Sequence, residues 1–460
     1  MVKFSWRLLR HFVQAGMIIL FLLPLAGCYQ VIGTLSSSRI LGITFTDPLA
    51  FLEVMLASKS LTFSFLLGAL LIVFLYILLG KAFCSWICPV GFLIEGVDSL
   101  KKSWKKDDQK QYYWALPLCL ILSFTLGIPV FQVVSPLGII YRSLLFGVGL
   151  EILIFLFIVA MEFAGHKRGW CRILCPIGIF YTLMARWSPL KIHCDKEKCV
   201  KCLKCVKKCD YTSEGLKKTV LGTDEYFSSN LCTRCGRCID VCPAKALQFS
   251  WKHRIPQENN RIDVSESGAI SRRKVIEGAG ILAVAGIIYP HSQALAAVTP
   301  GVLRPPGAVQ KDEFLAKCIR CGKCIEICPD KTLLNAHLDQ GLNLGTPYFI
   351  PRQTPCSLCM KCPEVCPTGA LKPLDMREVK IGVAEIDKDR CYAYKGDVCR
   401  SCYNNCPLID EAIQMESFQY PVINSQICTG CGICEYYCVT DPPAIQIKPL
   451  KDSPHVNLIG

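Results

Sequence analysis

Apolar residues come in long runs over residues 1–190 and in short patches over the rest of the chain. The runs lie at about 12–33, 61–80, 112–131 and 144–164. Each is close to the roughly 20 residues that an α-helix needs to cross a bilayer. Basic stretches flank them: Lys3, Arg7 and Arg10 before the first, Lys101 to Lys110 between the second and third, and His166, Lys167 and Arg168 after the fourth. The positive-inside bias puts these stretches in the cytoplasm and the connections 34–60 and 132–143, poor in Lys and Arg, outside. The pattern therefore predicts four spanning helices, with the chain returning to the cytoplasm. Residues 191–255 read as basic and soluble. A further apolar run, Gly278 to Pro290, stands between the pair Arg272-Arg273 and the small-residue end Ala294-Leu295-Ala296. That is the form of a twin-arginine export signal, here in mid-chain. It is expected to act as a fifth span if uncleaved, with everything after Ala297 outside. The other reading is a buried apolar helix after a charged loop. Four domains follow: 1–190, a four-span membrane domain; 191–255, a cytoplasmic domain; 256–298, linker and signal-like segment; and 299–460, a periplasmic domain opening on a Pro/Gly linker, Thr299 to Gly307.

The first domain is duplicated. Asp47-Pro48-Leu49-Ala50 is answered by Ser135-Pro136-Leu137-Gly138, an offset of 135 − 47 = 88. Cys84-x3-Cys88-Pro89-x-Gly91 is answered by Cys171-x3-Cys175-Pro176-x-Gly178, an offset of 171 − 84 = 87. Parallel repeats of a two-helix unit pack about an axis along the membrane normal, with the functional site between them.

Composition adds chemistry. The chain of 460 residues is 52% apolar and holds 31 cysteines. Cysteines recur as Cys-x2-Cys-x2-Cys-x3-Cys, often followed by proline, which is iron–sulfur ligand spacing. Zinc sites favour two separated Cys-x2-Cys knuckles instead. Two quartets lie before the signal-like segment: Cys199, Cys202, Cys205, Cys209 and Cys232, Cys235, Cys238, Cys242. In two-cluster ferredoxins the fourth cysteine ligates the other cluster. Cys199, Cys202 and Cys205 are therefore paired with Cys242, and Cys232, Cys235 and Cys238 with Cys209. Asp210 replaces the usual proline, and Cys194 stands near as a substitute ligand. Four quartets follow: Cys318, Cys321, Cys324, Cys328; Cys356, Cys359, Cys362, Cys366; Cys391, Cys399, Cys402, Cys406; and Cys428, Cys431, Cys434, Cys438. The third has a seven-residue first gap and the fourth lacks proline. Each is followed by a turn and an apolar patch, the ferredoxin half-unit. Adjacent crosswise pairing is the first choice, and nested pairing, first with fourth and second with third, stays open. The expected cofactors are six [4Fe–4S] clusters on 24 cysteines. The fold class is a membrane α-helical bundle plus α+β bacterial ferredoxin-like domains. The net charge of +14 sits beside apolar spans and cysteines, so it points to membrane topology and not to nucleic acid.

Seven cysteines remain. Cys28 and Cys119 read as inert core residues, and Cys194 is the substitute noted above. Cys84, Cys88, Cys171 and Cys175 sit at matching ends of the second and fourth runs and are expected to converge. They are compatible with a seventh cluster, with redox-active disulfides or with a structural role. Quinol is the natural membrane donor for such a wire. Ionisable residues in spans are costly and usually functional. The candidates are Gln30, Asp47, Glu53, Gln132, Tyr141, Arg142 and Glu151 near the outer side, and Glu162 and His166 near the inner side. Each also reads as an interfacial anchor or a satisfied helix contact.

On these motifs, residues 1–255 resemble NapH, and residues 271–460 resemble NapG and the MauM ferredoxins. The whole resembles a NapH–NapG fusion. NosR and CcoG, like MauN, share the Cys-x3-Cys-Pro membrane unit. The resemblance implies a quinol dehydrogenase-type electron-transfer component of the cytoplasmic membrane. It would draw on the quinol pool and pass electrons to a periplasmic cytochrome or reductase, such as a nitrate reductase system. The relation to NosR and CcoG implies a second class, a redox factor for maturation of another enzyme.

Overall fold

The computed structural model describes residues 5–27, 29–100, 113–163, 168–227, 229–251 and 302–450. The signal-like segment and its expected fifth span lie outside the described residues, as do Cys28 and His166.

The chain opens with α1 (Trp6–Leu22), prolonged by a 3-10 turn, Leu23–Ala26. Together these 21 residues form the one helix among the described residues that is long and apolar enough to cross a membrane. A meander of three short strands follows: β1 (Val31–Thr34), β2 (Ser37–Ile40) and β3 (Ile43–Thr46). Then come α2 (Pro48–Ser58), α3 (Phe63–Leu79), the single turn α4 (Phe83–Trp86) and α5 (Pro89–Leu100). After residues 101–112 come α6 (Ala115–Leu126), α7 (Val130–Val134), α8 (Pro136–Phe146), α9 (Ile152–Phe163), a π turn (Trp170–Leu174) and α10 (Pro176–Met184).

Three of the four expected spans thus come out short. α3 has 17 residues, which rise about 25 Å, and α6 and α9 have 12 each, about 18 Å. Backbone chemistry sets the limits. Gly80 and Gly127 end α3 and α6 at φ of 69° and 64°, where other residues are strained.

The repeat is also larger than two helices. α2 and α8 start alike, with proline at the first helical position behind a capping side chain. Asp47 accepts from the Ala50 amide at 3.3 Å, and the Ser135 hydroxyl accepts from Gly138 at 3.4 Å. Each copy then runs through an apolar helix (α3 or α9), a cysteine turn and a proline-started helix (α5 or α10). The copies close on one core that includes Leu49, Tyr76, Phe83, Leu137, Ile177 and Tyr181.

Residues 190–251 form a small α+β unit. Its sheet has the order β5 (Tyr226–Phe227), β4 (Leu190–Cys194), β6 (Leu247–Trp251), all antiparallel. Residues 302–450 form a larger one, in which Gly382–Ile386 pairs antiparallel with Ile445–Pro449 and Ile413–Glu416 with Tyr420–Ile423.

The two units pack at opposite ends of α1. At its start, the Asp240 carboxylate accepts from the Trp6 and Arg7 amides, each at 2.9 Å, satisfying donors that a helix N-terminus leaves open. The Trp6 ring meets Phe249 at 4.9 Å, and Trp86 Nε1 donates to the Arg234 carbonyl at 2.9 Å. Beyond its other end, the Gly33 amide on β1 donates to Glu326 at 2.7 Å and Lys323 Nζ donates to Ser37 on β2 at 2.9 Å. Ile319 joins Ala50, Val54 and Phe65 in one apolar cluster.

Candidate functional site

The six quartets share one local device. In each, the third cysteine sits in a four-residue helical turn, as Cys205 does in Lys204–Lys207 and Cys434 in Ile433–Tyr436. In five quartets, the residues on either side of the second cysteine have positive φ: Lys201 and Leu203, Arg234 and Gly236, Arg320 and Gly322, Leu358 and Met360, Gly430 and Gly432. A left-handed conformation costs a non-glycine residue about 1–2 kcal/mol. Six of these ten are not glycine, and the conformation is the part that spacing alone does not announce. It curls the backbone so that successive amides point inward, the concave nest that receives anions and iron–sulfur groups. The Cys391 quartet accommodates its long first gap with a 3-10 turn, Tyr392–Lys395, closed by Gly396 at φ 99°.

The cysteines gather crosswise. One cavity is lined by Cys199, Cys202, Cys205 and Cys242. A second is lined by Cys428, Cys431 and Cys434 with Cys406, and a third by Cys391, Cys399 and Cys402 with Cys438. Electrostatic contact joins Cys318, Cys321 and Cys324 to Cys366, and Cys356 and Cys362 to Cys328. Cys209 likewise faces Cys232 and Cys235. In residues 302–450 the geometry is therefore the adjacent arrangement, not the nested one. The Cys356 amide donates to the Cys431 carbonyl at 2.9 Å, so the two pairs abut. Cys194, fully buried on β4, lies against Cys199 but does not line the Cys242 cavity.

The donor set fits clusters. Amides reach several sulfurs: Thr212 to Cys209 and Leu371 to Cys366 at 3.4 Å, and Ala246 to Cys242 at 3.3 Å. Burial pushes the thiols of Cys209, Cys321, Cys356 and Cys402 up to about 12, so iron must displace their protons to bind. Cys438 departs in the other direction. Burial works against its thiolate, but the Thr440 hydroxyl at 3.2 Å and nearby amides outweigh it. Among the described residues no three His, Cys, Asp or Glu side chains close up around a single metal ion; a cluster takes one cysteine per iron and spreads them farther.

The cysteines of the helical domain converge too. Cys84, Cys88, Cys171 and Cys175 border one apolar core and lie within electrostatic reach of one another. The two copies position them alike. The Cys175 sulfur accepts from the Gly178 amide at 3.4 Å, and Cys88 is bonded in the same way by Gly91. Buried Lys81, whose Nζ donates to Thr182 at 2.8 Å, and buried Arg168 stand nearby. Tyr211, two residues after Cys209, lies beside Cys84 and Cys171.

A charged junction that the sequence did not announce joins this site to the 190–251 unit. Glu95 is paired with Arg10 at 2.6 Å, and with Arg168 and Arg237. Asp210 is paired with Arg168 and Arg237, and its carbonyl accepts from Arg172. Asp210, which reads as a departure from the ferredoxin pattern, is thus the junction's second carboxylate.

The candidate quinol residues separate. Gln30 is exposed. Glu53, 0% exposed, accepts from Cys119 at 3.2 Å, Ser123 at 3.1 Å, the Phe131 amide at 2.7 Å and Gln132 at 3.0 Å. Cys119 is therefore a donor to a buried carboxylate and not merely core. Asp47 accepts from Tyr181 at 3.1 Å, and the Tyr181 ring packs tilted against that of Tyr76, with centroids 4.4 Å apart. Glu162 accepts from the Arg168 amide, and Glu151 contacts His337 at 3.1 Å. Tyr141 and Arg142 are buried, and the Tyr141 hydroxyl finds no partner among the described residues.

Comparison with known proteins gives the same parts. The family described as "4Fe-4S binding domain" matches residues 61–107 and 148–194, an offset of 148 − 61 = 87 that coincides with the cysteine duplication. A "4Fe-4S dicluster domain" matches 224–329, and a further "4Fe-4S binding domain" matches 356–370. The dicluster match runs from the Cys232 quartet to the Cys318 quartet, whereas in space the Cys232 quartet pairs with the Cys199 quartet. The ferredoxin-type protein NapG of Escherichia coli K12 is 40% identical over 194 residues, 39% of this chain and 84% of that protein. The methylamine utilization ferredoxin-type protein MauM of Methylorubrum extorquens is 38% identical over 196 residues, 39% of this chain and 89% of that protein. MauN of the same organism is 31% identical over 262 residues, 54% and 90%. No solved structure matches. The chain carries multiple iron–sulfur-binding domains, and it belongs to the family of ferredoxin-type iron–sulfur electron-transfer proteins that includes NapG, MauM and MauN.

Proposed function

We propose that this protein is a natural NapH–NapG-type fusion in the cytoplasmic membrane that oxidises quinol and delivers the electrons to a periplasmic cytochrome or reductase. Six [4Fe–4S] clusters on the 24 quartet cysteines supply one-electron storage. The observation that carries the reading is the order of the sites. The four helical-domain cysteines adjoin Tyr211 and the Cys209–Cys232 site at one end of α1. At the other end the Cys318–Cys366 site abuts β1, β2 and α2, and the sites continue through Cys356 to Cys431 and on to Cys391–Cys438. With α1 across a bilayer, the two ferredoxin-like parts fall on opposite sides, as Arg272-Arg273 and the basic loops require.

Oxidation of one quinol yields a quinone, two protons and two electrons, the electrons leaving singly through the cysteine sites. The protein's residues seat the redox groups, exclude water from them and, through Lys81 and Arg168, offset negative charge that arrives at the four cysteines. The test is anaerobic reaction of the purified chain with a quinol analogue. The iron–sulfur absorbance should bleach in the native chain, whereas in the double variant Cys84→Ser, Cys171→Ser the rate should fall at least tenfold with iron nearly unchanged. A double variant that reacts at the native rate would move the site away from these cysteines. A native chain that takes no electrons from quinol, yet is needed for cofactor insertion into another enzyme, would favour a maturation factor.

A further inference from the structure

We propose that Arg142, a residue of the helical domain, sets the redox potential of the Cys318–Cys321–Cys324–Cys366 site and, with Arg304, Arg320 and Lys323, makes it the first acceptor in the C-terminal ferredoxin-like unit. The inference rests on the electron-transfer reading above and adds the residues that fix the order of transfer.

Three cations that are 1% exposed crowd this site: Arg142, Arg320 and Lys323. Arg304 lies half-buried over the Phe314 ring at 4.5 Å and faces Cys318 and Cys324. Burying a charge is expensive unless it is paired, so each of these asks for a reason. Arg320 is held by carbonyls, donating to Leu344 at 2.7 Å and to Cys318 at 3.1 Å. Lys323 reaches out to Ser37 and faces Cys321 and Cys366.

Arg142 is the least satisfied. Its Nη1 is 3.5 Å from the Arg320 carbonyl, and its Nε and Nη2 find no partner among the described residues. It is packed tightly all the same. A Cβ built on Gly345, which has φ 75°, would stand 3.1 Å from its guanidinium and 3.1 Å from the Arg320 side chain, so a side chain there would crowd both arginines. Two carboxylates lie within electrostatic reach, Glu151 of Arg142 and Glu326 of Lys323, but their hydrogen bonds go to His337 and to the Gly33 amide, and among the described residues neither forms an ion pair with these cations. The charge that would compensate these cations is the cluster itself. A [4Fe–4S] group on four thiolates is anionic and gains one more negative charge on reduction, so buried cations beside it favour the reduced form.

The elements make this a junction between domains. Arg142 rides on α8, in the second copy of the repeat, and crosses to the ferredoxin-like unit; Lys323 crosses the other way to β2. Only when the two domains are docked does the site carry its full set of cations, so it becomes a good acceptor where the helical domain can hand it an electron.

The test is a dithionite titration of the full-length chain followed by electron paramagnetic resonance. Arg142→Gln should lower the midpoint of one iron–sulfur centre and leave the others in place, and Arg142→Lys should restore most of the shift. Iron content monitors folding. If Arg142→Gln holds its iron and every midpoint stays where it was, the inference is wrong. Should Arg142→Gln lose iron, Arg304→Gln reads the same centre and must show the same fall; an unmoved centre there overturns the inference equally. A native chain without any reducible iron–sulfur signal would sink the electron-transfer reading as well, a result distinct from an unshifted midpoint.

Discussion

Asp210 stands after the fourth cysteine of its quartet, where the ferredoxin pattern has proline. From the sequence it could be read only as a departure, because its partners Arg168, Arg172 and Arg237 are distant in the chain. In the folded molecule it and Glu95 hold a set of arginines at the contact between helical domain and ferredoxin-like unit. Removing one member of a buried ion pair leaves its partners uncompensated, which costs about 3–5 kcal/mol. Glu95→Gln strands Arg10, which is 2% exposed, so it should lower the thermal midpoint of the detergent-purified chain well below the native value. An unchanged midpoint would mean that these charges are solvated. Glu53 teaches the same lesson. It is visible as a costly charge in an apolar stretch, but its four donors come from α6 and α7, and no local signal names them.

At the scale of elements, what repeats locally was legible and what depends on breaks was not. The quartets announce themselves because three cysteines per turn-sized segment is a covalent pattern, and each does form its short turn. The long apolar runs did become helices, yet Gly127 cuts the third of them short, and the capped helices α2 and α8 fall in or across connections that the charge pattern reads only as outward-facing. The repeat gives a sharp comparison. At Gly91 an added Cβ would lie 2.5 Å from the Cys84 carbonyl, while at Gly178 it would lie 3.1 Å from that of Cys171. Both glycines let a proline-started helix press on the cysteine turn before it. Overpacking of this kind costs about 1–3 kcal/mol. Gly91→Ala should therefore destabilise the chain more than Gly178→Ala, measured as the difference between their thermal midpoints. Equal effects would mean that the two turns relax alike and that the tighter contact in the first copy has no energetic consequence.

For the whole molecule, the account is a line of iron–sulfur sites that runs past a helical domain and on through a second ferredoxin-like unit. The two ends of α1 carry the two units, so the side of the membrane that each unit occupies follows from how α1 lies. Reporter fusions after Lys110 and after Trp251 should give a cytoplasmic signal, and one after Leu450 a periplasmic signal; a cytoplasmic signal at Leu450 would put every quartet on one side. The pairing of the quartets was open between adjacent and nested forms on spacing alone, since both satisfy the same local turns. The strand pair Gly382–Ile386 with Ile445–Pro449 brings the third and fourth quartets together, and that long-range contact decides it. All of this stands on the cysteines holding clusters. The most direct measurement is iron and acid-labile sulfide per chain after anaerobic purification. The account predicts about 24 irons with matching sulfide, or about 28 if the four helical-domain cysteines hold a further cluster. A chain that comes out with zinc and little iron would contradict it.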